Sequence, residues 1–292
     1  MPPISNLAAV QGLSPRDLRR LMRSGEWRTP TAGLAPGFAQ ANLVVVPRET
    51  AYDFLLFCQR NPKPCPLIDV TDPGSAEPAY AAPGADLRTE EEVTEITRHW
   101  RPDFVAFLLG CSFTFEGAMQ RAGLPVRHIE DGRNASMYIT SMACRPAGAL
   151  HGPVVVSMRP VPREGVPRAG LVTGRYPRAH GAPLHVGDPG AIGIRDLAHP
   201  DFGDASRIEP GEVPLFWACG VTPQAVARTA KVDLMITHAP GHMFNLCLRL
   251  ASLWCGAPAG DGVACLSCRM SRPSPGCCAA ERSGAESTGY GS

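Results

Sequence analysis

The segment from Asp103 to Gly123 constrains the fold of this chain most. An apolar run, Asp103 to Leu109, ends in Gly110-Cys111-Ser112. Thr114 to Ala122 then reads as a helix stopped by Gly123. This is strand–turn–helix grammar, and it sets Cys111 and Ser112 at a helix start, where backbone N–H groups face an anion. Similar grammar recurs along the chain. Leu43 to Val46, Leu67 to Val70, Val154 to Met158, Val213 to Cys219 and Leu234 to Thr237 read as short buried strands. Leu18 to Trp27, Ala51 to Gln59, Glu90 to Trp100 and a segment opening at Thr222-Pro223 read as helices, with Thr222 as the expected cap. Asn61-Pro62-Lys63-Pro64-Cys65-Pro66 forces an extended connection, because a residue before proline is pushed out of the α region.

Strands alternating with helices predict an α/β chain of two domains. One is a layered mixed sheet with helices, formed by residues 1–124 and 211–246. The other is a smaller α+β domain inserted as residues 125–210, richer in glycine and proline. Residues 247–292 are expected to be a disordered tail outside the fold.

Apolar residues make up 44% of the 292 and charged residues 19%, which is globular composition. A formal net charge of +1 gives no reason to expect nucleic acid or an anionic membrane as partner. No apolar run approaches the roughly 20 residues of a membrane-spanning helix, and Met1 to Gln11 lacks the layout of a secretion signal. The expected compartment is the cytoplasm. Cys58, Cys65, Cys111, Cys144 and Cys219 are scattered singly, as a reducing compartment permits, while the other six cysteines crowd into Cys247 to Cys278.

Several loops carry groups fit for chemistry. His238 and His242 have the spacing of a helical zinc pair, but Pro240-Gly241 between them breaks a helix. They become two imidazoles on a tight loop at a strand end, where α/β sheets place ligands. The run from Arg127 to Asn134 contains Arg133 and Asn134, a guanidinium and an amide able to grip a carboxylate, and Arg145 offers a second guanidinium on a turn. His185 and Asp188 are candidate ligands of a divalent metal, although Asp188 before Pro189 also suits a helix cap. Cys111, at its helix start, has the setting of a lowered thiol pKa and of a nucleophile, or of a small buried apolar group. There is no Walker A sequence, and Gly187, Gly190 and Gly193 have the wrong spacing for a dinucleotide loop, so no cofactor is fixed.

Taken together, several strings resemble the D-glutamate cyclase family of bacterial hydro-lyases. They include Thr31-Ala-Gly-Leu-Ala-Pro-Gly37, Tyr52 to Pro66, Gly110-Cys-Ser-Phe113, Arg127 to Asn134, Cys144-Arg-Pro-Ala-Gly148, Gly187-Asp-Pro189, Trp217 to Pro223 and Thr237-His-Ala-Pro-Gly-His-Met-Phe244. Two departures stand out. A segment of roughly a dozen residues is absent after Arg88, a length change that loops tolerate. After Phe244 the family's Ile-Thr-Asp is replaced by Asn245-Leu246-Cys247, as a shifted reading frame would leave.

The resemblance implies a two-domain α/β fold and loss of water from a small carboxylic acid, best defined as closure of D-glutamate to 5-oxo-D-proline. Such a reaction needs a base, an acid, oxyanion donors and a carboxylate clamp. His238 and His242 suit base and acid, the Cys111 and Ser112 N–H groups suit the oxyanion, and Arg133 with Asn134, or Arg145, suits the clamp. Metal-dependent hydrolysis or dehydration and non-catalytic binding of a small anion are the alternatives. The expected partner is a small carboxylate, with self-association left open.

Overall fold

The computed structural model describes residues 7–253 apart from 83, 84, 86 and 88–95. A 3₁₀ turn, Leu7–Val10, is followed by α1 (Pro15–Arg23), capped by Ser14, whose hydroxyl accepts the Asp17 N–H at 3.2 Å, with Pro15 at the first helical position. Then follow β1 (Phe38–Pro47), α2 (Arg48–Arg60), β2 (Leu67–Val70), β3 (Phe104–Gly110), α3 (Phe113–Arg121) and the single turn α4 (Arg127–Glu130). The second half contains β4 (Met137–Ala143), β5 (Pro153–Pro162), α5 (Val166–Gly174), β6 (His185–Val186), β7 (Glu212–Ala218), α6 (Thr222–Ala230), β8 (Ile236–Thr237) and β9 (Phe244–Arg249). No described helix is long and apolar enough to cross a membrane.

The α/β architecture expected from the alternating segments is present, as two sheets. The first runs β2-β3-β1, with β8 and β9 both pairing the free side of β1; the second runs β4-β5-β7-β6. Every strand pair recorded is antiparallel. β1 is central and buried on both faces, so its apolar residues divide by the two-residue period of a strand. Val44 and Val46 face a core shared with Phe107 and Leu109 of β3, Phe54 and Phe57 of α2, and Tyr138, Val156, Met158 and Phe216 of the second sheet. Leu43 and Val45 face the opposite side, with Ala106, Leu108, Phe244 and Leu246. Phe54 meets Phe107 edge-on at 4.8 Å, a contact worth about 0.5–1.5 kcal/mol beyond the area it buries. One core therefore joins both sheets.

Three expectations change. β7 lies past residue 210 yet hydrogen-bonds to β5 and β6, so residues 212–218 go with the second sheet rather than the main segment. Residues 247–253, expected to lie in a tail outside the fold, are part of it: Cys247 to Arg249 complete β9, Arg249 pairs with Phe38, and Leu253 is buried. The buried Arg19 of α1 secures that strand, its Nη1 reaching the Asn245 carbonyl at 2.5 Å and its Nη2 the Cys247 sulfur at 3.6 Å. The expected helix from Glu90 to Trp100 falls largely outside the described residues, and Thr97–His99 within it forms a 3₁₀ turn. The shortened loop after Arg88 and residues 254–292 also lie outside them. At α6 the cap position belongs to Val221; Thr222 instead accepts the Val155 N–H at 3.0 Å and donates to the Cys219 carbonyl at 2.7 Å, tying α6 to β5.

Candidate active site

The turn between β3 and α3 is built by close approach. A Cβ on Gly110 would lie 1.6 Å from the Arg178 carbonyl oxygen and 3.2 Å from the Ala179 Cα, so only glycine admits the 177–179 turn here. Asn42 of β1 donates to the Gly110 carbonyl at 2.8 Å and fixes the other side. Cys111 is buried against Phe113, Ala135 and Met243, and its sulfur accepts the Phe113 N–H at 3.5 Å. Burial pushes the thiol well above its ordinary range, the helix-start N–H bond lowering it only in part. The lowered pKa expected of a nucleophile is therefore absent, because desolvation outweighs the helix terminus. Ser112 is buried as well, and its hydroxyl accepts Arg159 Nη2 at 2.9 Å.

The β8–β9 loop carries His238 and His242 to the same place. Asn134 fastens it, donating from Nδ2 to the Pro240 carbonyl at 2.9 Å, while Thr31 donates to the Gly241 carbonyl and accepts the Met243 N–H at 2.8 Å. Met243 is the residue that packs on Cys111, so the loop and the β3–α3 turn share a wall. His238 is buried, and its Nδ1 lies 3.2 Å from the Leu43 carbonyl. A carbonyl only accepts, so Nδ1 carries the proton and Nε2 presents a lone pair. That Nε2, like His242 Nδ1, is buried with no hydrogen-bond partner among the described residues. Burial lowers the His238 pKa to about 4, the Leu43 bond opposing and His242 assisting, so the imidazole is neutral at neutral pH.

Beneath this wall lies a charged cluster that the residue patterns did not single out. Arg159 of β5, fully buried, reaches Glu116 of α3 from Nε at 3.0 Å and from Nη2 at 2.5 Å, and donates from Nη1 to Ser157 at 3.0 Å. Its guanidinium also lies over the rings of Phe115 and Trp217. His128 of α4 stacks on Phe113 and places Nε2 2.9 Å from the same Glu116 oxygen, within ion-pair distance but off the hydrogen-bond direction. Burial alone would raise the Glu116 carboxyl; His128 and Arg159 together hold it below its ordinary value. The available signal was Arg159 inside an apolar, proline-flanked strand, and Glu116 between Phe115 and the small residues of a helix that turns inward. A cavity of about 50 Å³ between the Gly33–Phe38 turn and α3 has Thr114 and Glu116 in its wall, and is too small for an amino acid.

The remaining candidates divide. Arg133 adjoins Asn134 with an exposed side chain. Arg145 follows β4, whereas Asn134 precedes it, and a strand of that length separates them by about 20 Å. Arg145 instead meets α2, its N–H donating to the Asn61 side chain at 2.8 Å. Arg133 and Arg145 thus lie beyond opposite ends of β4. Asp188 caps the 3₁₀ turn Pro189–Ile192 by accepting the Gly190 N–H at 2.9 Å, and His185 Nε2 lies 2.6 Å from the Asp188 carbonyl on the edge strand β6. Both are thus engaged in holding that turn, and among the described residues no three metal-ligating side chains gather. Sequence patterns also passed over His180, which is buried next to the Gly110 contact.

Comparison with known proteins places this architecture. Residues 105–246 match the family model described as D-glutamate cyclase. A protein of Stutzerimonas stutzeri (strain A1501) named "Putative hydro-lyase" is 62% identical over 257 residues, covering 84% of this chain and 97% of that protein. "Putative hydro-lyase YcsI" of Bacillus subtilis (strain 168) is 57% identical, covering 82% of this chain and 99% of that protein. "Putative hydro-lyase Teth514_1597" of Thermoanaerobacter sp. (strain X514) is 58% identical, with 84% and 97% covered. Among solved structures, a nitrogen repressor-like protein from Methanococcus jannaschii aligns at 8% identity with a TM-score of 0.38, a likeness that carries no argument. Identity of this extent, over nearly the whole length of each relative, shows that the chain belongs to the D-glutamate cyclase family.

Proposed function

We propose that this carbon–oxygen lyase closes D-glutamate to 5-oxo-D-proline with loss of water. The observation that carries the reading is His238: an imidazole locked by Leu43 as the Nδ1–H tautomer, neutral, with a buried lone pair on Nε2 and a second imidazole on the same loop. Ring closure removes two protons from the substrate nitrogen and delivers two to the departing oxygen. One C–N bond and two O–H bonds form, while two N–H bonds and one C–O bond break. His238 takes the first proton from the ammonium group, and the freed lone pair attacks the side-chain carboxyl carbon. His242, close enough for its charge to act on His238, takes that proton from His238 and passes it to the leaving oxygen. Each such transfer is typically worth about 10²–10⁴-fold in rate.

The N–H groups of Cys111 and Ser112, in the turn that leads into α3, stabilise the tetrahedral oxyanion. The exposed guanidinium of Arg133, at the rim beside the Asn134 contact, grips the α-carboxylate. Arg145, some 20 Å along β4, has no part in this arrangement. The test incubates the purified protein with D- and L-glutamate and follows 5-oxoproline by mass spectrometry. Formation from the D enantiomer, lost in His238→Gln, is the expected result. Absence of 5-oxoproline from either enantiomer ends the proposal.

A further inference from the structure

We propose that His180 is a further catalytic residue of this reaction, taking the second proton from nitrogen once the C–N bond has formed and yielding it to the departing oxygen. The inference rests on the cyclisation reading and completes its proton balance, since one His238–His242 relay accounts for one of the two protons.

The case begins with the backbone. His180 has φ +76°, left-handed and uncommon for any residue but glycine, with Asn, Asp and His the better-tolerated exceptions. A residue in that region persists where its surroundings over-determine it. Here Lys63 does so from both sides: its carbonyl lies 2.6 Å from His180 Nδ1, and its ammonium donates to the Ala182 carbonyl at 2.5 Å. Lys63, in the turn closed by the Cys65 N–H on the Asn61 carbonyl at 3.0 Å, thus sets the position of a second turn more than a hundred residues away.

That lacing fixes chemistry as well as shape. Facing a carbonyl, Nδ1 must carry the proton, so Nε2 presents its lone pair. It is buried and has no hydrogen-bond partner among the described residues. A buried polar atom left unpaired costs about 1–3 kcal/mol, so a structural histidine would be expected to find a donor. His180 therefore repeats the state of His238 on an unrelated segment.

The two segments are tied to adjacent strands, β1 and β3. Leu43 holds His238, and its neighbour Asn42 donates to the Gly110 carbonyl at 2.8 Å. Ala179, next to His180, lies where a Cβ on Gly110 would meet it at 3.2 Å. His180 thus follows directly on the residue that packs against Gly110, where the turn that supplies the oxyanion donors begins, while His238 is held from the neighbouring strand β1. Arg159 and Lys63 lie close enough for their charge to disfavour protonated His180, and burial contributes more than either. Although the bond to the Lys63 carbonyl opposes them, these effects leave His180 unprotonated at neutral pH.

The test compares His180→Asn with His180→Ala in the full chain. Asparagine tolerates the left-handed backbone, and its Nδ2 can replace Nδ1 as donor to the Lys63 carbonyl, but it has no counterpart of Nε2. The expected result is a kcat lower by about 10²–10⁴-fold in His180→Asn, with KM and thermal midpoint little changed, and partial rescue of His180→Ala by added imidazole. Wild-type kcat in His180→Asn would overturn the inference while leaving the cyclase reading intact. Nitrogen NMR of histidine-labelled wild-type protein gives an independent reading: His180 should show protonated Nδ1 and bare Nε2. The opposite tautomer overturns the inference even if D-glutamate is not the substrate.

Discussion

Arg159 and Glu116 meet through two hydrogen bonds that converge on a single carboxylate oxygen, 3.0 Å from Nε and 2.5 Å from Nη2. The other Glu116 oxygen is buried with no partner among the described residues. A fully buried guanidinium whose counter-ion is one helix residue makes the pair asymmetric in its consequences. Glu116→Gln keeps the shape but leaves the Arg159 charge uncompensated, and should cost roughly 3–5 kcal/mol in urea unfolding. Glu116→Met combined with Arg159→Met should recover much of that loss, because both charges then stay out of the interior. An additive double variant would show that the two residues do not act as a pair.

Acid should unfold the protein through its buried imidazoles. His180 and His238 both fall from 6.5 to about 4 in the folded chain. Between those values the unfolded state binds more protons than the folded one, so stability rises with pH. The contribution is complete above about pH 6.5 and is lost as pH falls toward 4, on the order of 3 kcal/mol for each group. Unfolding free energies measured at intervals from pH 7 to 4.5 check this. His238→Asn should flatten part of the slope, and a flat wild-type profile would show that the imidazoles are not held neutral.

How much of this was legible in the chain follows from distance along it. β1, β2, β3, β5 and β7 announced themselves as apolar runs because their side chains are buried on at least one face over several residues. β4 did not, since Thr140, Ser141 and Met142 interrupt its pattern at an irregular pairing with β5. β9 was missed because the segment after Phe244 was read as lying outside the fold. Its first residues still alternate, with Phe244 and Leu246 entering the core, and Cys247 to Arg249 follow in the same strand. In the site, Asn134 and the His238 loop were recognisable as clusters of polar residues on turns. Arg159 and Glu116 were not, because each looks like an isolated charge until a fold brings positions 43 residues apart together. His180 was hidden for a related reason: its tautomer is set by the Lys63 carbonyl, 117 residues away.

Cys111 should prove dispensable for bond making. Its thiol is pushed up by burial rather than lowered, and its sulfur is occupied by the Phe113 N–H. Cys111→Ala should therefore keep kcat within a few-fold of wild type, losing some stability from its place beside Phe113, Ala135 and Met243. Substrate incubation should leave no covalent adduct on intact-mass analysis. A Cys111→Ala protein that folds but has lost 10³-fold or so in kcat would restore the nucleophile reading.

The His238–His242 loop depends on glycine at its tip for two separable reasons. Gly241 has φ +88°, and a Cβ there would lie 2.1 Å from Asn134 Oδ1. Asn134 in turn holds the loop through the Pro240 carbonyl, so the side chain that would clash is also the one that positions the imidazoles. Gly241→Ala should cost roughly 1–3 kcal/mol from backbone strain alone, and the clash adds to it by displacing Asn134. Adding Asn134→Ala removes the clash but neither the strain nor the loss of the Pro240 contact. Stability should therefore recover in part in the double variant, while activity recovers little, because His238 and His242 are no longer held against the β3–α3 turn. Unfolding midpoints and kcat measured across the four proteins separate the two effects; full recovery of activity in the double variant would show that Asn134 does not position the loop.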